Sequence, residues 1–226
     1  MQNYLPNDTE KIYNRFMKTR AAAKNPSARP AKPRGRPRCF DTDKALDAAM
    51  DVFWRKGYEG ASLSDLTRAM NVNRPSLYAA FGDKKSLFRK VLDRYEEGQV
   101  AAWGEAIRQP TARAVVEAVL TTAIRLTTQP DYPKGCLLIQ GGLACGEGAE
   151  CAAQEMARRR HEIETLLLHR LEEARADGDL PSEADPAALA RYITTVIRGI
   201  AVQAADGVSA EELFSVRDAA LRAWPT

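Results

Sequence analysis

From Asp41 onward, apolar residues recur at the i, i+3, i+4 spacing of a helix with one buried face. Leu46, Met50, Phe53 and Trp54 share a face, and Gly57 supplies a stop. The spacing then predicts short helices over Ser62–Met70 and Asn73–Phe81, and a longer one from Lys84 to about Arg108 carrying Leu87, Val91 and Tyr95. Beyond Pro110 it predicts helices over Thr111–Thr128, Cys136–Cys145, Ala149–Ala176, Pro186–Asp206 and Ala210–Ala223. Pro130, Pro133, Gly178, Pro181, Gly207 and Pro225 punctuate them. The β-branched patches Val115-Val116 and Ile193–Val196 lie inside helical spacing and do not alternate, so they are not strands. The fold class expected is all-α, with about nine helices.

The first forty residues break this pattern. A polar stretch with one short helical segment, Thr9–Ala23, leads into Pro26, Pro30, Pro33 and Pro37 set among Arg, Lys and Ala, which reads as a flexible arm. Charge divides along the same line. The 226 residues sum to only +3, yet residues 1–40 carry +8, residues 41–95 carry +2 and residues 96–226 carry −7. A polyanion is therefore expected to meet the front of the chain. With 45% hydrophobic residues the chain can bury a substantial core. No apolar run approaches the roughly 20 residues of a membrane span, and no secretory apolar segment opens the chain, so a soluble cytoplasmic protein is expected. Cys39, Cys136, Cys145 and Cys151 form no C-x-x-C pair and are read as reduced thiols. His161 and His169 are two helical turns apart, too far to chelate one metal, and no metal or cofactor is expected.

The segment from Ser62 to Phe81 carries the most chemistry. Ser62 is a helix cap, and Asn71 stands where the chain must leave that helix in a left-handed conformation that Asn tolerates next best to Gly. Asn73 caps the following helix, with Pro75 in its first turn. Two short helices joined by so tight a turn make a helix-turn-helix. Leu77 and Phe81 should pack inward against Phe53 and Leu66, leaving Asn73, Arg74, Ser76 and Tyr78 facing out. Such a face fits the DNA major groove, with Arg74 suited to guanine and the hydroxyls of Ser76 and Tyr78 to phosphates. Ser62, Ser64 and Pro75 complete the expected DNA surface. Lys84 and Lys85, at the start of the next helix, would hold a backbone phosphate. In the arm, Arg34 and Arg36 flank Gly35 in Pro-Arg-Gly-Arg-Pro-Arg, which serves either as a minor-groove hook or as a polybasic tail that neutralises phosphate.

Several features together resemble the DNA-binding domain of TetR-family transcriptional regulators: Ala48-Ala49…Phe53…Gly57-Tyr58, Leu63-Ser-Asp-Leu66, Val72-Asn-Arg-Pro-Ser-Leu-Tyr78, Phe81 and Lys84-x-x-Leu87-Phe88. Two positions depart from the family pattern. Asn71 replaces a common Gly, and Ala79-Ala80 stand where an aromatic residue or His often follows the tyrosine, so affinity should lean more on the arm. The resemblance implies three parts: a basic arm over 1–40, a three-helix DNA-binding domain over 41–88, and a helical effector-binding and dimerisation domain over 89–226. It further implies a repressor that binds double-stranded palindromic DNA as a homodimer through its last two helices and is released by a small-molecule effector. The helix holding Leu189, Tyr192, Ile193, Val196, Ile197 and Ile200 is apolar on more than one face, which suits that interface.

Trp103, Tyr132, Cys136, Gln140 and Tyr192 are the residues expected to line the effector pocket. Gly141 and Gly142 would weaken a helix unless something approaches them closely, either a ligand or another backbone. Cys136 has two readings. Beside Lys134 and Gly135 at a helix start it would be a reactive thiolate; drawn inward by Leu137, Leu138 and Ile139 it would be silent. An enzyme is the alternative class, but there is no nucleophile-base set, no H-E-x-x-H and no nucleotide loop.

Overall fold

The computed structural model describes Asn14, Phe16 and residues 40–141 and 150–225. The basic Arg34–Arg38 stretch, Cys39, Gly142 and Cys145 lie outside those residues. Among the described residues there are ten helices and no strand, and most helix starts have a local cause.

Helix α1 (Thr42–Gly60) starts where the Asp41 carboxylate accepts the backbone N–H of Asp43 and Lys44 at 3.0 and 3.3 Å. Gly57, at φ 69°, breaks its helical path one turn before the end. Helix α2 (Leu63–Ala69) opens on a reciprocal cap: Ser62 Oγ accepts the Asp65 N–H at 3.0 Å, while the Asp65 carboxylate takes the Ser62 N–H and O–H. Asn71 then turns at φ 52°, the one non-glycine residue with positive φ among those described. Helix α3 (Arg74–Phe81) is capped by Asn73, whose side chain accepts the Ser76 N–H at 2.9 Å, and carries Pro75 in its first turn. Helix α4 (Lys84–Glu97) begins at Asp83, which accepts the Ser86 N–H at 2.7 Å.

The single helix predicted over 84–108 is two. Gly98 and Gln99 form a turn between α4 and α5 (Val100–Ile107): Gly98 keeps right-handed dihedrals, but Gln99 opens to φ −111° and its N–H bonds to the Glu96 carbonyl, which interrupts the helical ladder beneath a continuous apolar spacing. Helices α6 (Ala112–Thr128), α8 (Glu150–Ala176), α9 (Pro186–Ala205) and α10 (Ala210–Arg222) fall within a few residues of expectation. The helix expected over 136–145 is one turn, α7 (Leu137–Gln140), within the described residues. Gly141 caps it, and a side chain there would meet the Leu137 carbonyl and Met156 Sδ. The close neighbour anticipated at this glycine is therefore α8.

Two cores result. Phe53, Leu66, Leu77, Leu87 and Phe88, all essentially inaccessible, join α1–α4, and Leu137, Ala152 and Met156 close this cluster from the body side. The Phe53 and Phe88 rings meet edge to face at 4.9 Å. The second core joins α5, α6, α8, α9 and α10 around Val115, Val119, Ile124, Leu167 and Ile193. Phe16 is buried in it, and its carbonyl accepts from Arg108 at 3.3 Å.

Because the Ser62 hydroxyl accepts the otherwise open Asp65 N–H and donates to the Asp65 carboxylate, Ser62→Ala should lower unfolding free energy by about 1 kcal/mol. Urea denaturation followed by circular dichroism measures this, and the midpoint should fall without a change in slope.

Candidate nucleic-acid interface and junction cleft

The α3 helix divides cleanly. Leu77 and Phe81 are buried against the first core, while Arg74, Pro75 and Tyr78 face solvent and Ser76 is half-exposed. Tyr78 is 47% exposed, which removes it from the core and leaves its hydroxyl facing outward. Arg74 Nη2 donates to Ser64 Oγ at 3.1 Å, so α2 steadies the guanidinium while its other donors remain directed outward. Ser62, Ser64 and Asn73 stand on the same exposed side. The face is therefore an exposed polar strip on a helix, of the kind that a major groove accepts.

At the start of α4 the arrangement differs from the simple phosphate cradle. Asp83 already occupies the helix terminus, its carboxyl lowered by the Ser86 N–H. Lys84 lies over the Tyr58 ring at 4.6 Å and reaches the Glu59 carbonyl at 3.5 Å, and burial lowers its pKa. Lys84 is thereby held on the interface side, close to where Lys85 is half-exposed.

A cleft of about 430 Å³ lies where the two cores meet. Met50 and Trp54 of α1 and Tyr95 of α4 form one wall; Leu126, Gln129 and Tyr132, at the end of α6 and the loop after it, form the other. Tyr95 meets Trp54 edge-on at 5.0 Å, and Tyr132 stacks on Trp54 at 6.2 Å and 28°. Asp47 and Arg94 pair in two hydrogen bonds of 3.0 and 3.2 Å at the rim. Behind the walls, Trp54 Nε1 donates to Gln140 Oε1 at 2.8 Å and the Tyr95 hydroxyl donates to Cys136 Sγ at 3.3 Å.

Comparison with known proteins agrees with this geometry along most of the chain. Residues 45–91 match the family of bacterial regulatory proteins, tetR family, and residues 110–213 match the tetracyclin repressor-like C-terminal domain. The HTH-type transcriptional repressor ComR of Escherichia coli is 35% identical over 86% of this chain and 93% of its own. The chain belongs to the TetR family. Also similar are the E. coli repressor BdcR, 32% identical over 79% of this chain and 86% of its own, and a cysteine mutant of the TetR family regulator CifR. The CifR structure, complexed with 26-bp double-strand operator DNA, is 42% identical, with TM-score 0.81 over 84% of this chain and all of that one. The chain is thus a helix-turn-helix transcriptional regulator.

For a TetR-family protein, the five residues expected to form a pocket are scattered. Only Tyr132 lines the cleft. Gln140 and Cys136 stand one residue behind it, through Trp54 and Tyr95. Trp103 belongs to the body core, its indole N–H directed at Gln99 Oε1 3.4 Å away. Tyr192 is 41% exposed on the outer side of α9, because Ile193 and Thr194 take that helix's inward positions. The residues that sequence reasoning missed are Trp54, Tyr95 and the Asp47–Arg94 pair. Trp54 shows the same spacing as the core residues around it, so only the paired fold reveals that its ring borders a cavity.

Burial pushes the Cys136 thiol up, outweighing the hydrogen bonds from Tyr95 and nearby backbone and the charge of Arg160. This favours the silent reading over the thiolate. Cys151, by contrast, is exposed at the start of α8. Iodoacetamide labelling of the native protein at pH 8, read by peptide mass spectrometry, should modify Cys136 roughly tenfold or more slowly than Cys151. Equal rates would place a reactive thiolate at Cys136.

Proposed function

We propose that this regulator is a repressor that holds a palindromic operator as a homodimer and leaves it when a small molecule occupies the body. The observation that carries this reading is the α3 helix, whose Leu77–Phe81 side is buried while Arg74, Ser76 and Tyr78 face outward. Arg74 reads a base edge; Ser62, Ser64, Asn73, Pro75, Ser76 and Tyr78 position the helix on the backbone; Lys84 and Lys85 neutralise phosphate. The operator-bound CifR structure supports the assignment. Residues 41–88 serve DNA and 89–226 serve the effector and the partner subunit. The protein works in the cytoplasm, where its operator is, and catalyses no reaction.

The dimer forms through α9 and α10. Along α9, Tyr192, Thr195, Gly199 and Val202 are exposed at i, i+3, i+7 and i+10, and nothing lies within 4 Å of a side chain built at Gly199. On α10 and its cap, Val216, Ala219 and Ala223 make a matching exposed stripe. Two such pairs close into a four-helix bundle about a twofold axis, which matches two half-sites on DNA. Tyr192 thereby acts at the subunit contact.

Sequencing the DNA fragments retained by the purified protein identifies the operator. On that site Arg74→Ala should cost about 1–3 kcal/mol and leave scrambled DNA nearly unaffected, whereas Lys84→Ala should weaken both alike. Equal losses on both DNAs for Arg74→Ala would overturn base reading by this residue.

The arm contributes affinity through Arg34 and Arg36. Replacing both with Ala should reduce the slope of log affinity against log salt by about 2, from the release of two counterions. An unchanged slope would show that the arm does not touch DNA.

A further inference from the structure

The junction cleft has a chemical bias that its position alone does not explain. Three aromatic rings, Trp54, Tyr95 and Tyr132, present electron-rich faces and edges to one space. Trp54 and Tyr95 are buried and fixed, whereas Tyr132 is 45% exposed on the Gln129–Gly135 loop. One wall is thus buried aromatic surface, and the other carries an exposed ring beside Leu126 and Gln129. The rim is acidic. Arg94 is paired with Asp47, and Asp43 and Glu97 also lie close enough to act on its charge. Three carboxylates therefore surround one guanidinium, an excess of negative charge at the mouth of an aromatic slot.

We propose that this cleft binds a planar aromatic cation against the Trp54, Tyr95 and Tyr132 rings that line it, with its positive charge toward Glu97 and Asp47. Aromatic faces attract cations electrostatically, and the carboxylate excess adds to that attraction. An aromatic anion of the same size meets the same carboxylates as repulsion. The volume of about 430 Å³ suits a ligand of two or three fused rings. The inference rests on the repressor reading only for its consequence, since ligand binding itself needs no DNA.

The test uses three probes of matched size: N-methylquinolinium, neutral 2-naphthol and anionic 2-naphthoate. Each is titrated into the full-length protein without DNA, with binding followed by calorimetry. N-methylquinolinium should bind about tenfold more tightly than 2-naphthol, and 2-naphthoate more weakly than either. Tyr132→Ala, at an exposed position, should weaken the two stronger binders. Glu97→Gln, also exposed, should weaken the cation severalfold and leave 2-naphthol unchanged. Binding of 2-naphthoate as tight as that of the cation, or cation binding untouched by Tyr132→Ala, would overturn the proposal. Adding the cation to the operator complex separates the two readings. Release of DNA supports both; binding of the cation with DNA retained keeps the site and overturns its role in release. Failure of the cation to bind a protein that still holds its operator overturns the site and leaves the repressor reading standing.

Discussion

Helix α4 is buried in the DNA-binding core yet is tied to helix α8 of the body by ion pairs and borders the junction cleft, and the rest of the structure is arranged around that constraint. Its 14 residues span about 21 Å as a rigid rod. Lys84 stands at one end beside the DNA-reading helix, and Arg94 and Tyr95 stand at the other, in the junction cleft. Between them Leu87, Phe88, Val91 and Leu92 are buried against the DNA-binding core. A rod packed this closely has little freedom to absorb a displacement at one end by bending, so the packing couples its two ends.

The body grips the same rod by charge. Arg159 of α8, only 5% exposed, donates to Asp93 and Glu96 of α4 at 2.7 Å each and to Glu155 of its own helix at 2.8 Å. Such a set adds little net stability over an apolar contact, but removing the buried Arg159 costs about 3–5 kcal/mol because the largely buried Glu96 and Glu155 lose their shared counter-charge, whereas Asp93 is exposed to solvent. It therefore specifies where α4 sits more than how firmly the protein folds. Hydrogen bonding from Arg158 first, and then from Arg159, holds the Glu155 carboxyl at about 2 against the opposing effect of burial. Because that pKa is depressed in the folded state, its contribution is complete above the ordinary carboxylate range and is lost only as pH falls toward about 2. The carboxylate of Glu155 is therefore ionised throughout the physiological range, and its part of the clamp does not change with pH there.

Much of the DNA-binding end was legible because its determinants are local. Ser62, Asn71 and Asn73 act within three residues of themselves, so cap, turn and cap follow from sequence alone. The cleft was not legible, because Trp54 and Tyr132 are 78 positions apart and become neighbours only when α1 and α4 meet the loop after α6. Tyr192 shows a different limit. On a helix apolar around most of its circumference, spacing identifies two good faces, and only the packing of Ile193 and Ile200 decides which one turns inward. The break between α4 and α5 was hidden for a related reason: Tyr95 and Trp103 continue the apolar phase across Gly98 as though the backbone were unbroken.

The placement of the cleft has an energetic consequence. A ligand shifts a conformational equilibrium only by its difference in affinity for the two states. A cavity enclosed by one rigid unit offers little difference, since its walls travel together. This cleft takes Met50, Trp54 and Tyr95 from the DNA-binding core and Leu126, Gln129 and Tyr132 from the body, so its shape changes whenever the two move relative to each other. Inverting a two-state population from 1:99 to 99:1 requires about 5.5 kcal/mol of differential binding. A dimer has two clefts, so each ligand needs to supply about half of that, roughly a hundredfold preference per site. A few aromatic contacts made in one arrangement and broken in the other are of that size. A modest cleft at the junction can thus control an interface it never touches.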